Sequence, residues 1–141
     1  MWPKTFSQRL ESWYQLRSQA AVVDISTALK NINQWWFASP WIPYYLHWDD
    51  QDKWPDPWQL LSDNTFCGLA RSLGMLYTIT LIDRPDLQHC WLAEHDSDNL
   101  VHVPGEKYIL NWARDQIVNI TPGDANLQRR VSQQQLKQLI G

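Results

Sequence analysis

The fold of this chain is decided by residues 66–82, which read Phe-Cys-Gly-Leu-Ala-Arg-Ser-Leu-Gly-Met-Leu-Tyr-Thr-Ile-Thr-Leu-Ile. Four apolar residues of the first half recur at helical spacing: Phe66, Leu69, Ala70 and Leu73. This spacing predicts a short helix, and Gly74 suits the position just past its end. Residues 77–82 are mainly β-branched or aromatic, which predicts a strand. Cys67 is therefore expected in the first turns of a mostly buried helix.

Turn residues after this stretch separate further short segments with the composition of strands. These segments are residues 89–94, 100–103 and 108–112, with residues 117–120 as one more candidate. Short strands with turn signals between them indicate an antiparallel meander. Asp124 then offers an N-cap for a C-terminal helix within residues 124–140.

The chain before residue 60 divides into a helical part and an irregular part. Thr5 and Gln8 have the spacing of a capping box. Apolar residues at helical spacing follow, which predicts helix over residues 5–34, either continuous or with a break near Val22 and Val23. Residues 38–58 are rich in proline and aromatic side chains, and the prolines exclude a continuous helix there.

Together these segments predict an α+β fold. N-terminal helices come first, an antiparallel β-meander of about four strands follows, and a C-terminal helix closes the chain, so helices should pack on one face of the sheet. The helix-plus-sheet core is expected over residues 60–120. A chain of 141 residues has the usual size of one domain, and a single domain is expected over residues 1–141.

Composition excludes several classes of function. The net charge is −3 and no basic run is present, so nucleic acid is not an expected partner. No apolar run reaches the roughly 18 residues of a membrane helix, and the N-terminus lacks the apolar core of a secretory signal. We therefore expect no membrane partner and a protein made in the cytoplasm. With two cysteines and no Cys-x-x-C pair, neither a metal site nor a cofactor is expected.

The candidate for chemistry is a cysteine at a helix start. The free N–H groups and the dipole of a helix N-terminus favour a thiolate, so Cys67 is the nucleophile candidate. A cysteine nucleophile needs a histidine base and a third group that orients the imidazole. His89, at the head of a strand, is the base candidate, and Asn111, at the end of a neighbouring strand, is the orienting candidate. The alternative is that Cys67 simply packs in the core, as most free cysteines do.

The same residues carry a resemblance to a known family. Residues 66–74 are similar to the cysteine helix of the transglutaminase-like, papain-type superfamily, and His89-Cys90-Trp91 resembles its His-x-Trp strand. Asn111 falls where the third residue of that superfamily, usually Asp, is expected. The resemblance implies a helix packed on an antiparallel sheet and, with an intact Cys67–His89–Asn111 triad, acyl transfer or amide hydrolysis through a thioester.

Tryptophan is the compositional outlier, with ten in the chain. Six fall within residues 35–58 and are the candidate partner-binding residues: Trp35, Trp36, Trp41, Trp48, Trp54 and Trp58. Large rings dominate both cores and interfaces, so a buried cluster and a docking surface remain open alternatives. A third alternative is a carbohydrate-binding or peptide-binding module that uses stacked rings.

A second resemblance concerns residues 54–67, which are similar to small uncharacterised proteins of tailed bacteriophages. It implies a protein made in a bacterial host and built into a virion, in the tail, baseplate or neck. We therefore expect a structural or assembly component whose partners are other virion or assembly subunits, with the cysteine-nucleophile enzyme as the alternative.

Overall fold

The computed structural model describes residues 2–43, 45–95, 98–105, 108–117 and 127–140. Within these residues the chain forms five α-helices and four β-strands. In chain order they are α1 (Phe6–Ala20), α2 (Ile25–Phe37), α3 (Pro57–Asp63), α4 (Gly68–Ile82), β1 (Trp91–His95), β2 (Asp98–Val103), β3 (Tyr108–Leu110), β4 (Leu127–Ser132) and α5 (Gln133–Ile140). Two 3₁₀ segments are added at Trp48–Lys53 and Pro85–Leu87. The predicted α+β class is confirmed.

The four strands form one antiparallel sheet in the order β3-β2-β1-β4. Strands β1, β2 and β3 are a meander, as predicted, with Trp91 opposite His102 and Val101 opposite Leu110. Strand β4 returns to pair with the other edge of β1. One face of the sheet contributes Leu92, Val101 and other residues to the main hydrophobic core.

Helix α4 is the centre of the molecule, since it packs against α1, α2, α3 and α5 as well as β1 and β2. Every residue from Ser72 to Thr80 is buried. The prediction of a strand over residues 77–82 is wrong, because a helix covered on all sides is apolar all round and its sequence loses the one-sided stripe. Burial at this density outweighs the modest helix propensity of the β-branched residues.

Gly74 does not end this helix, contrary to the prediction. It lies in the middle of α4, and a Cβ built on it would come within 2.6 Å of the Trp36 ring. The glycine is needed for the close approach of that ring rather than for a left-handed backbone. The contact fixes α2 against α4.

The N-terminal region has the predicted capping box at the start of α1 and a break between α1 and α2. The Thr5 hydroxyl accepts the Gln8 N–H at 3.1 Å, and the Gln8 side chain accepts the Thr5 N–H at 3.2 Å, which is the predicted capping box. The predicted break near Val22 separates α1 from α2, and the Asp24 carboxylate caps α2 by accepting the Thr27 N–H.

The C-terminal prediction needs a correction. Helix α5 starts at Gln133, and residues 127–132, expected within a helix over 124–140, form strand β4. Strand β4 forms antiparallel backbone hydrogen bonds along β1. Because its partner lies more than 30 residues away in the sequence, the spacing of apolar residues within 127–132 does not reveal this pairing. Asp124 and residues 118–120 lie outside the described residues.

Candidate functional site

The candidate site lies at the N-terminal end of α4. Cys67 is the N-cap residue of this 15-residue helix, with an extended backbone, and is only 5% exposed. Its Sγ accepts a hydrogen bond from the backbone N–H of Leu46 at 3.4 Å. The sulfur therefore sits beside the unpaired N–H groups of a helix start and has one backbone donor of its own.

Four strand ends meet this helix start. Glu94 is near the end of β1, Asn99 near the start of β2, Asn111 just after β3 and Arg129 near the start of β4. The Asn111 side-chain amide donates to the carbonyl oxygens of Gly68 and Asn99, at 2.9 and 2.8 Å. These bonds tie the end of the sheet to the first turn of α4. Asn111 thus lies next to the Cys67 helix start, and its amide bonds these two backbone carbonyls rather than the His89 imidazole that it was predicted to orient.

A cavity of about 420 Å³ opens at this junction. Cys67 and Gly68 line it from the helix, Glu94, Asn99 and Arg129 line it from the strands, and residues 46–49 line it from the preceding loop. Asn99 is held by Trp48, whose indole N–H donates to its side-chain oxygen at 2.8 Å. The loop, the helix start and the sheet end therefore enclose one concave site.

The predicted base is not at this site. Strand β1 runs from Trp91 toward the cavity, and His89 precedes it, so His89 lies at the opposite end of the sheet. The neighbouring Gln88 side chain donates to the Arg84 carbonyl, just past the C-terminal end of α4. A helix of 15 residues is about 22 Å long. The predicted Cys67–His89 pair is therefore wrong.

The physical reason is the length of α4. A helix that ended near Gly74 and continued as a strand would bring the chain back to the Cys67 end before His89. Because α4 continues to Ile82, the chain reaches the far end of the molecule, where exposed His89 adopts a left-handed φ of 64°. The strand residue that faces the helix start is Asn99 instead: a Cβ on Gly68 would lie 3.2 Å from its amide nitrogen.

Two residues of the site were missed by sequence reasoning. Asn99 was assigned to a turn, because Asp, Ser and Asn residues surround it. His47 lines the cavity beside the Leu46 donor, although it belongs to a segment that gives no periodic signal. Among the described residues it is the histidine that shares a cavity with Cys67.

Two arginines define the electrostatics of the site. Burial lowers the pKa of Arg71, and the charge of Cys67 opposes that shift. Arg71 is fixed by Ser39, whose hydroxyl and carbonyl it contacts at 2.9 and 2.6 Å. Arg129 bridges Asp49 and Glu94, and hydrogen bonds to these carboxylates raise its pKa. A cation therefore stands near the thiol, and two carboxylates face the cavity.

The six candidate partner-binding tryptophans divide into core and surface. Trp36, Trp48 and Trp54 are buried, at 0%, 6% and 5% exposure, and Trp35 is half-buried. For the three buried rings the docking prediction is wrong, because they pack in the core and their N–H groups are bonded inside the protein. Trp41 and Trp58 are exposed, at 56% and 41%.

The exposed apolar side chains near the cavity form a small surface, which we call the exposed rim: Trp41, Ile42 and Trp112. Trp41 lines the cavity and approaches Gly68. Trp112 directly follows Asn111, whose amide bonds Gly68. All three are at least 45% exposed. Trp41 therefore lies exposed at the cavity, and Ile42 and Trp112 each directly follow a residue that approaches Gly68.

No group of three or more His, Cys, Asp or Glu side chains within the described ranges is placed to hold a metal ion. In the same part of the chain, no helix combines the length and apolar character that crossing a membrane requires. A comparison with family models, curated proteins and solved structures finds no match to this chain.

Proposed function

We propose that this chain is an assembly component that binds a protein partner through the exposed rim and the adjacent cavity. The observation that carries the proposal is the contrast within the tryptophan-rich segment: its buried rings complete the core, whereas Trp41 stays 56% exposed beside a cavity. A large ring in water next to a concave surface is typical of an interface anchor.

The charges of the cavity indicate the chemistry of the partner. Asp49 and Glu94 contribute two carboxylates and Arg129 one cation, so the described charged side chains of the lining leave an excess negative charge. The complementary partner is a protein segment with an apolar side chain beside a basic one. Following the resemblance of residues 54–67, we place this partner among the tail, baseplate or neck subunits of a tailed bacteriophage that assembles in a bacterial host.

The test is site-specific crosslinking in the cells that make the protein. A photo-crosslinking residue in place of Trp41 should crosslink to one subunit that is also present in purified particles. The same residue in place of Trp58, an exposed tryptophan on α3, is the matched control and should give no such product. Equal products from both positions, or particles without this chain, would contradict the proposal.

The same partner allows a measurement of energy. Trp41→Ala is expected to weaken binding to the crosslinked subunit by about 2 kcal/mol, the scale of an interface hot spot. Trp58→Ala should change the affinity by less than about 0.5 kcal/mol, because surface substitutions away from a binding site have small effects. Calorimetric titration of the two purified proteins measures both values.

A second candidate function is nucleophilic catalysis by Cys67. It is favoured by the position of the Cys67 sulfur, which lies at a helix start, accepts the Leu46 N–H and has the Arg71 cation nearby. With His89 at the far end of the sheet, His47 is the histidine from the described cavity lining that remains as proton partner. The reaction class is the acyl transfer or amide hydrolysis that the family resemblance implies.

Thiol labelling separates the two functions, and the chain supplies its own control. Burial raises the pKa of Cys90 to about 12, so Cys90 should resist iodoacetamide at pH 8 until the protein is denatured. A nucleophilic Cys67 should be labelled in the folded protein. General-base catalysis contributes about a hundredfold or more to a rate, so His47→Ala should slow the labelling of Cys67 at pH 7 by at least about tenfold. Labelling of Cys67 only after denaturation would exclude the enzyme.

A further inference from the structure

The arginine that lines the cavity, Arg129, is bound by carboxylates of the protein itself. One of its terminal nitrogens forms an ion pair with Asp49, and its Nε atom donates to Glu94 at 2.9 Å. Its guanidinium carbon lies 5.9 Å from the centre of the Trp48 ring. Two carboxylates and an aromatic face are the groups that bind a guanidinium most favourably in proteins. Arg129 therefore occupies a site with the chemistry of an arginine-binding pocket.

The backbone of β4 positions this arginine at the cavity. Arg129 is opposite Glu94 of β1, and the register of the two strands shifts directly beside that pair. Such a bulge bends a strand, and bulges next to binding sites commonly redirect a side chain. Arg130 is the next residue of the strand, and its guanidinium lies over the Trp91 ring on the other face of the sheet. Of these two neighbouring arginines, Arg129 is the one that lines the cavity.

The internal ion pairs hold Arg129 weakly. The side chain of Arg129 is 43% exposed and that of Asp49 is 86% exposed. Exposed ion pairs contribute little free energy, because water screens the charges and two long side chains must be ordered. The Glu94 side chain is less accessible, at 18%, so its carboxylate is the one that would lose most by remaining without a cation. A second guanidinium can therefore replace Arg129 at little cost, provided that it bonds the same carboxylates.

We propose that Arg129 occupies the place of an arginine of the partner, and that binding exchanges one guanidinium for the other. The inference rests on the function proposed for the cavity, and it identifies the basic residue of the partner as an arginine. Arginine suits the exchange better than lysine, because its planar group bonds two carboxylates at once and stacks on an indole. The displaced Arg129 side chain returns to water, where its charge is well solvated.

The exchange makes the cavity selective for a partner that forms several contacts. While Arg129 occupies the carboxylates, the apparent affinity for another guanidinium is reduced by the fraction of molecules in which the site is free. A partner that also contacts Trp41 brings its arginine to the site at a high effective concentration, which a single free cation does not have. Removal of Arg129 should therefore strengthen the binding of a guanidinium. If Arg129 instead contacted the ligand directly, its removal would weaken binding.

The experiment titrates N-acetyl-arginine amide into the natural protein and into Arg129→Met, and follows the Trp48 indole N–H by NMR. Methionine keeps an apolar stem near the Trp48 ring and removes the cation. We expect the variant to bind the probe about tenfold more tightly than the natural protein does.

Arg130→Met is the matched control for this gain. It removes the same charge from the next residue of β4, on the face of the sheet that carries Trp91. Because salt screens an exposed charge at that distance, its affinity for the probe should stay within about twofold of the natural value. Glu94→Gln, added to Arg129→Met, should abolish the gain, since it removes a carboxylate that bonds the guanidinium.

Two further measurements test the exchange without relying on a single variant. In the natural protein, a saturating amount of the arginine probe should shift the Arg129 Nε–H resonance to that of a solvated side chain. N-acetyl-citrulline amide, which has the same shape without the charge, should leave this resonance unchanged. N-acetyl-lysine amide should bind Arg129→Met more weakly than the arginine probe.

The outcomes distinguish the exchange from the proposed function. Equal affinity of the natural protein and Arg129→Met, or an equal gain for Arg130→Met, would show that Arg129 does not compete for the site. Crosslinking from position 41 tests the partner separately. A crosslink without tighter probe binding would overturn the exchange alone, whereas tighter probe binding without a crosslink would support the exchange and overturn the assembly role.

Discussion

Replacing Gly74 with alanine is expected to destabilise the protein by about 3 kcal/mol, although alanine is the better helix former. A Cβ at this position would come within 2.6 to 2.7 Å of three atoms of the Trp36 ring. Trp36 is fully buried, and its N–H is bonded to Thr78, so moving the ring away from an added Cβ would disturb both its core packing and this bond. Overpacking of a core costs about 1–3 kcal/mol or more, which exceeds the gain of about 1 kcal/mol from helix propensity. Urea unfolding followed by circular dichroism measures the difference.

Two other glycines serve as controls for this result. Gly105 has a φ of +88°, and no atom of the described residues lies within 4 Å of a Cβ built on it, so Gly105→Ala tests backbone strain and should cost about 1–2 kcal/mol. Gly68→Ala meets the Asn99 side-chain amide at 3.2 Å, which a small shift of that side chain relieves. If Gly74→Ala costs no more than Gly68→Ala, then the α2–α4 contact is not as tight as the structure indicates.

Thr78→Val is expected to destabilise the protein by about 2–6 kcal/mol, with almost no change in side-chain volume. The Thr78 hydroxyl accepts hydrogen bonds from the indole N–H groups of Trp13 and Trp36, at 2.9 and 3.0 Å, and donates to the Gly74 carbonyl. Both tryptophans are fully buried, so neither N–H can reach water. Valine would leave two buried donors without acceptors, at about 1–3 kcal/mol each.

Thr80 provides the matched control two residues further along the same helix. Its hydroxyl donates to the Leu76 carbonyl within the same helix and is buried like that of Thr78. Thr80→Val therefore leaves no buried donor without an acceptor, and it should change stability by less than about 1 kcal/mol. Thr78→Ser keeps the hydroxyl that both indoles bond, so it should be much less destabilising than Thr78→Val. Equal costs for the two valine variants would show that the shared hydroxyl does not hold the indoles.

The candidate site was predicted in part. Cys67 at a helix start and Asn111 at a strand end follow from local composition, because a helix start and a strand end both have signals within a few residues. The partner of Cys67 was assigned to the wrong end of the sheet, because the position of His89 depends on how far α4 runs. Asn99 and His47 gave no local signal, since only the folded chain brings them to the cavity.

By itself, the sequence determined the features that depend on neighbours along the chain. These are the capped start of α1, the break before α2, the irregular proline-rich segment, the helix that begins after Cys67 and the three-strand meander. Each depends on backbone hydrogen bonds or dihedral preferences that a few adjacent residues satisfy.

The tertiary structure alone decided what depends on distant contacts. The full length of α4 depends on its being covered on all sides, and the assignment of residues 127–132 to β4 depends on their pairing with β1. Whether each tryptophan lies in the core or in water depends in the same way on residues far along the chain. Burial and long-range pairing outweigh local preference by several kcal/mol, so a pattern read along one segment could not anticipate them.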